Sequence, residues 1–302
     1  VEYLKENFDL DKIRIIESEI NSGFAGGNNL GYKYCKGEFV VLLNNDTKVE
    51  KDWLKFLIEC IESDKSVGIA QSLVITEGIP LKYYKMNGTI NLLGHNVMEV
   101  FDIDETGYGE IFQANGCSLI IRKQLADELA GLFLNEYFAY SEDSFLCFKV
   151  KFRGLKIVHT SESIVHHKGG GASDKKKPSL LYFYQERNRL LNFILFFPGM
   201  FILKYIPYLI FNFVMKVALS FISKKYSAIQ LVKAYWWLLA NFKWIRNERN
   251  ILNNLKTADQ NSVLKYISCK IFNGENIPER IINSLSLFYC KVVNLKTLEN
   301  KN

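Results

Sequence analysis

Three short clusters could carry chemistry in this 302-residue sequence: Asn44-Asn45-Asp46, Glu142-Asp143 and His166-His167, on loops at or beyond strand-like runs. An aspartate flanked by amides offers the oxygen ligands that a hard divalent cation takes. Two adjacent carboxylates repel, so one is pushed toward the pKa range of a general base when both face a cleft. Singly, each cluster reads more simply as structure, because Asp at a strand end and Glu-Asp at a helix start are common caps and a lone histidine is more often structural. In this order, behind a Gly/Asn-rich segment at Asn21 to Gly31, they specify a site that holds a divalent metal, a diphosphate and a general base.

The elements that must position these residues follow from hydrophobic period. Lys12–Ser18 has a short strand pattern and leads into Asn21–Gly31, a segment too glycine-rich for a helix interior and therefore expected as a loop, with a helix beginning near Leu30. Phe39-Val40-Val41-Leu42-Leu43 is a buried strand by length and β-branching, stopping at Asn44. Asp52–Ser63 has amphipathic helical spacing, Val67–Ile75 reads as a strand, and Lys82 to Glu110 as a variable loop or hairpin region. Ile111–Arg122 is strand-like, Lys123–Leu132 helical, and Ser141 is the expected N-cap of a helix opening with Glu142 and Asp143. Gly154–Val165 is strand-like and closes on His166. Such alternation predicts an α/β sheet with parallel members, whose ligands bind beyond the carboxyl ends of the strands.

Composition narrows the class. Residues 1–150 hold 14 Lys and Arg against 24 Asp and Glu, while residues 151–302 hold 24 against 8, so the basic half is suited to phosphates or anionic lipid. The six cysteines form no CxxC pair and read as reduced core thiols of a cytosolic-facing protein, not as a zinc knuckle or a disulfide framework. Three glycines at 169–171 and three lysines at 175–177 mark the end of a first domain near 180. Beyond it, residues 190–222 are strongly apolar, but Pro198, Lys204, Pro207 and Lys216 interrupt them, and the longest uncharged run, 190–203, is short of the about 20 residues of a clean span. Helices lying in a membrane surface are favoured over a true span or a core hairpin, and Trp236, Trp237 and Trp244 beside Lys and Arg fit a bilayer interface. Nucleic acid is disfavoured, because these basic residues flank apolar runs instead of forming a solvated stripe.

Five ordered segments, NSGFAGGNNLG (21–31), GEFVVLLNNDT (37–47), GCSLIIRK (116–123), YSEDSFLCFKVKFRG (140–154) and VHHKGGGAS (165–173), resemble family 2 glycosyltransferases of the GT-A fold, in particular the rhamnosyltransferase-like enzymes of cell-surface polysaccharide synthesis. The resemblance implies an inverting transfer of a sugar from a nucleotide-diphosphate donor to a lipid-linked or cell-surface glycan acceptor, with Mg²⁺ or Mn²⁺ as cofactor. It makes Asp46 a metal ligand in place of the family's DxD-type motif and His166 its neighbour, with His167 as the alternative. It makes Asp143 the base, with Glu142 orienting the acceptor. Asn21, Gly23, Gly26, Gly27, Asn29, Asn44, Asn45 and Gly116 are then expected on the donor side.

The family opens with two further strands, so the chain reads as lacking the first part of the nucleotide half. The expected organisation is a GT-A domain over 1–180, incomplete at its N-terminus, and a helical, basic and apolar membrane-associated region over 181–302, the catalytic domain facing the cytoplasm. The alternative is a catalytically inactive fragment that persists as a membrane-bound scaffold.

Overall fold

A computed structural model describes residues 1–76, 87–98, 108–168 and 178–300. The glycine and lysine runs at 169–177 and residues 82–86 and 99–107 of the expected variable region lie outside them. In chain order the elements are α1 (Glu2–Asn7), α2 (Gly23–Tyr32), β1 (Phe39–Leu43), β2 (Thr47–Val49), α3 (Trp53–Glu62), β3 (Val67–Thr76), β4 (Asn87–Ile90), β5 (Asn96–Met98), β6 (Tyr108–Ile111), β7 (Ser118–Arg122), α4 (Lys123–Glu128), α5 (Glu142–Phe152) and β8 (Lys156–His167). There follow α6 (Pro178–Phe196), α7 (Gly199–Ser220), α8 (Ala228–Ala240), α9 (Phe242–Leu255), α10 (Gln260–Leu264) and α11 (Ile277–Val292).

The sheet is mixed. Its order is β1-β7-β3-β8, with β2 and β6 sharing the far side of β8. Among the described strands of this sheet only β3 and β8 pair in parallel, Ala70 opposite Val158; β7 runs antiparallel to both β1 and β3. The expected sheet with parallel members is present as three co-directional strands, β1, β3 and β8, with β7 inserted against them. Residues 111–122 are not one strand: the Asn115 side-chain oxygen accepts the Cys117 N–H (2.8 Å), which turns the chain between β6 and β7. As a result the end of β1, the end of β8 and the start of β7 meet at one edge.

Alternate side chains sort onto the two faces of the sheet, as the period of a strand requires. Ala70, Ile120 and Val158 pack under α3 with Leu57, Cys60 and Ile61, whereas Ile69, Leu119 and Ile121 face α5 and the helices beyond it. That second core is aromatic: Phe148 of α5 stacks on Phe196 of α6 (5.1 Å), and the series continues through Phe193, Phe197 and Phe201 to Tyr205 in α7. Each such pair adds about 1 kcal/mol beyond its buried area. One core thus runs across residue 180, and the apolar run 190–197 is core, not membrane surface. All six cysteines are unpaired and five of them are buried.

Two further expectations change. Lys12–Ser18 forms no strand; Arg14 and Ile16 instead stand off β1 across a cavity of about 360 Å³ that α2 also borders. Asn21–Gly31 is not a loop, since α2 begins at Gly23. That glycine has φ +69°, and a Cβ there would lie 2.3 Å from the Phe138 carbonyl oxygen, so the helix start can dock on that turn only without a side chain.

Candidate active site

At the sheet edge lies a cavity of about 590 Å³. Asn44 and Asp46 reach it from the link between β1 and β2, His167 from the end of β8, Gly116 from the turn before β7, and Glu142 and Asp143 from the start of α5. Three pieces of chain far apart in sequence therefore deliver carboxylate, imidazole and amide groups to one space.

Asp46 Oδ1 lies 3.1 Å from His167 Nε2, and both side chains are partly open, 23% and 18% exposed. The Asp46 carbonyl accepts the Lys168 N–H (3.0 Å), which holds the link against the end of β8. The expected ligand His166 points elsewhere: its Nε2 meets Glu50 Oε1 at 2.8 Å, away from the cavity. Neighbouring residues of a strand face opposite sides, so only one of this pair could enter the site, and the register of β8 against β2 selects His167. Asn45 likewise does not line the cavity. Among the described residues no group of three His, Cys, Asp or Glu able to hold a metal comes together. One carboxylate and one imidazole fit a divalent cation that takes its other ligands from a diphosphate and water.

Glu142 and Asp143 sit in the first turn of α5. Glu142 is 7% exposed and its Oε2 has no hydrogen-bond partner, whereas Asp143 is partly open to the cavity and accepts N–H bonds from Ser144 (2.7 Å) and Gly116 (3.4 Å). Burial first, then the Asp143 charge, pushes Glu142 up to about 8; burial also raises Asp143, against the hydrogen bonds that favour its ionised form. Both carboxyls are thus held toward their protonated forms.

The chain enters α5 through a strained turn. Phe138, Tyr140 and Ser141 all have positive φ (59°, 72° and 62°), each costing about 1–2 kcal/mol for a residue with a Cβ. The hydroxyl of Ser141 does not cap the helix as expected. Instead α6 clamps the turn: Asn188 Nδ2 donates to the carbonyls of Tyr137, Ala139 and Tyr140 (2.8–2.9 Å), and Asn192 Nδ2 to that of Ser141 (3.0 Å). From the other side Ala25 donates its N–H to the Phe138 carbonyl (3.0 Å).

This arrangement explains the 21–31 segment. Asn29 exchanges hydrogen bonds with the Phe133 backbone (2.9 and 3.1 Å) and Asn135, and Asn21 accepts the Gly23 N–H (3.0 Å). A Cβ on Gly26 would strike Ser22 at 2.5 Å, and Gly27 lines the cavity beside β1. None of Asn21, Gly23, Gly26, Gly27 and Asn29 lines the cavity that Asp46 and Asp143 share; Gly23 seats the start of α2 against the turn that carries the carboxylates. Gly116 does line it, with the Phe24 ring 3.1 Å from where a Cβ would lie.

The sequence reading missed the opposite wall, built by His95 between β4 and β5, Gln113 and Asn115 before β7, and Gln185, Glu186 and Arg189 of α6. A signal was present: Gln185-Glu186-Arg187-Asn188-Arg189 is an uninterrupted polar string inside an apolar helix.

Residues 1–129 match the family described as Glycosyl transferase family 2. The low-salt glycan biosynthesis hexosyltransferase Agl10 of Haloferax volcanii is 24% identical over 152 residues, which are 49% of each chain, so this chain spans about half the length of the curated relative it matches. The crystal structure of GalNAc-T7 with UDP, GalNAc and Mn²⁺ superposes with a TM-score of 0.50 at 17% identity, over 65% of this chain and 40% of that one. Residues 1–129 are thus similar to family 2 glycosyltransferases, and the chain has the GT-A fold.

Proposed function

We propose that the chain transfers a hexose, with inversion, from a nucleotide-diphosphate donor to a hydroxyl of a lipid-linked or cell-surface glycan. The observation that carries this reading is the convergence of Asp46, His167, Glu142 and Asp143 on one cavity at the sheet edge. Asp46 and His167 would hold Mg²⁺ or Mn²⁺, which would supply positive charge beside the diphosphate of the donor. Asp143 takes the proton of the acceptor hydroxyl while its oxygen bonds to the anomeric carbon and the bond to the diphosphate breaks, the electron pair leaving with the phosphate. Glu142, buried beside it, keeps its own proton and orients the acceptor.

Residues 1–180, closed by the polar face of α6, act as the catalytic domain, and the rest of 181–302 seats it on the cytoplasmic face of a membrane. Support comes from apolar side chains left in solvent at helical spacing: Met200, Leu203, Ile210 and Val214 on α7, Ile229, Val232, Trp236 and Leu239 on α8, and Ile281, Leu285, Phe288 and Val292 on α11. Helix α7 is also long and apolar enough to cross a membrane, with mean hydropathy 1.5. Lys224, Lys225 and Lys243 flank these helices in the sequence, a charge suited to anionic lipid.

Calorimetric titration of the chain with UDP, dTDP and GDP, with and without Mn²⁺, tests the reading. Metal-dependent binding of one nucleotide is expected and names the donor class. No binding to a folded chain contradicts the enzyme and favours an inactive scaffold.

A further inference from the structure

Tyr140, three residues before Asp143, lines the cavity at the sheet edge and is half-buried there. It holds one of the left-handed positions of the turn (φ 72°), and its carbonyl accepts from Asn188 Nδ2 (2.8 Å). Its hydroxyl is hydrogen-bonded by the Gln185 side chain of α6, and two residues earlier the Phe138 ring stacks on Tyr184 of the same helix (4.9 Å). The Tyr140 side chain is therefore fixed at both its backbone and its hydroxyl end, so little freedom is left to lose when a ligand packs on it. Backbone strain that neighbouring contacts must hold in place is a mark of ligand clamps as well as of catalytic groups. The carboxylates account for part of this turn, and Tyr140 is the part they leave without a role.

Beside Tyr140 stand Leu181 and Gln185, four residues apart and so on one face of α6. Leu181 is half-buried and Gln185 is exposed. The charged residues that follow on the helix, Glu186 and Arg189, are paired with each other at 2.5 Å. What α6 offers next to the ring is accordingly an aliphatic side chain and an amide that keeps one donor and its acceptor oxygen after bonding Tyr140. The Glu142–Asp143 pair in the same cavity disfavours an anion there. An aromatic face flanked by aliphatic and amide groups complements a neutral pyranose, whose C–H faces are apolar and whose hydroxyls both donate and accept.

The direction of attack places that sugar. In an inverting displacement the base and the leaving group stand on opposite faces of the ring being transferred. With the diphosphate at Asp46 and His167 on the sheet-edge wall, the incoming hydroxyl reaches Asp143 from the side of α6.

We infer that Tyr140 and Gln185 form the subsite that selects the acceptor: a neutral pyranose lies with a C–H face on the Tyr140 ring and its hydroxyls on the Gln185 amide, which brings one hydroxyl to Asp143. This rests on the glycosyl-transfer reading and adds to it the chemical class of the group that is glycosylated.

The test is saturation-transfer NMR titration of the full chain with Mn²⁺ and a mixture of UDP, dTDP and GDP. The probes are the methyl glycosides of glucose, galactose, mannose and N-acetylglucosamine, with methyl glucuronide as the anionic counterpart. At least one neutral glycoside is expected to bind, about tenfold more tightly than the glucuronide. Gln185→Leu should weaken it about tenfold, the upper range for one neutral hydrogen bond, and Tyr140→Ala by a similar factor through the lost ring face. Tyr140→Phe, which keeps the ring, should stay within about threefold of the wild type. Mn²⁺-dependent nucleotide binding should stay within twofold in all three variants. Gln185 is exposed, so its substitution reads the subsite even if Tyr140→Ala destabilises the turn.

No binding of any neutral glycoside to the wild type overturns the subsite, and so does unchanged affinity in both Gln185→Leu and Tyr140→Ala. Equal binding of the glucuronide contradicts the neutral class. A parallel loss of nucleotide binding would put the donor against this wall and overturn the inference as well. Absence of nucleotide binding in the wild type, with glycoside binding that still depends on Tyr140 and Gln185, would instead fail the glycosyl-transfer reading and leave the sugar subsite standing.

Discussion

The two walls of the cavity are built differently. The sheet-edge wall places Asn44, Asp46 and His167 on short connections with solvent access and few side-chain restraints, whereas the α6 wall holds Glu186, Asn188, Arg189 and Asn192 nearly dry, each fixed by hydrogen bonds. Exposed groups can shed water and exchange ligands at little cost, while buried ones hold a fixed geometry and are disrupted if any partner is lost. On the proposed reading, the difference assigns donor chemistry to the open wall and the positioning of the carboxylate turn to the closed one.

The largest expected effect lies between the walls. Asp143→Asn should lower the transfer rate by about 10³-fold, the range of a lost general base, while leaving metal-dependent nucleotide affinity unchanged. Asp46→Ala should do the reverse, weakening that affinity by roughly 100-fold, the upper end of what altering a metal site costs. If both substitutions gave the same phenotype, the division of labour would be wrong.

On the closed wall, Asn188→Ala leaves the buried carbonyls of Tyr137, Ala139 and Tyr140 without their donor. A stability loss of about 2 kcal/mol is expected in denaturant unfolding, with kcat falling more than KM rises. The same substitution strategy on the open wall, Asn44→Ala, should leave stability within about 0.5 kcal/mol, as for other solvent-facing changes.

The carboxylate pair gives a pH signature. Because the base must be ionised, kcat/KM should rise with pH until about 8, where Glu142 also loses its proton. Stability runs the other way. Carboxyls whose folded pKa lies above the unfolded value bind their proton more tightly in the fold, so their contribution is present in acid and is lost as pH rises from the ordinary carboxyl range through Glu142's value. Glu142→Gln should flatten that decline in thermal melts, and an unchanged slope would remove the pair as its cause.

How far these walls could be read from sequence follows the same contrast. Phe39–Leu43 and Val67–Ile75 were legible because short, largely apolar runs with β-branched residues have few alternatives, and the Asn44-Asn45-Asp46 link came with the first. The choice between His166 and His167 was not, since it depends on a one-residue phase that only the pairing of β8 with its neighbours decides. Asn21–Gly31 was misread because glycine lowers helix propensity, and the compensation, close docking of Gly23 on Phe138, is tertiary. Residues 190–197 resembled membrane surface because burial against Phe148 and Phe152 selects the same side chains as burial in lipid. The string 185–189 gave a polar signal but no partner, and its meaning appears only when α6 closes the cavity.

The central claim is that a metal bound with nucleoside diphosphate sits at Asp46 and His167. Pulsed electron paramagnetic resonance on the Mn²⁺–nucleotide complex reads it directly. The account predicts nitrogen modulation from a ligating imidazole that persists in His166→Ala and disappears in His167→Ala. Modulation that survives in His167→Ala, or is lost in His166→Ala, would contradict it.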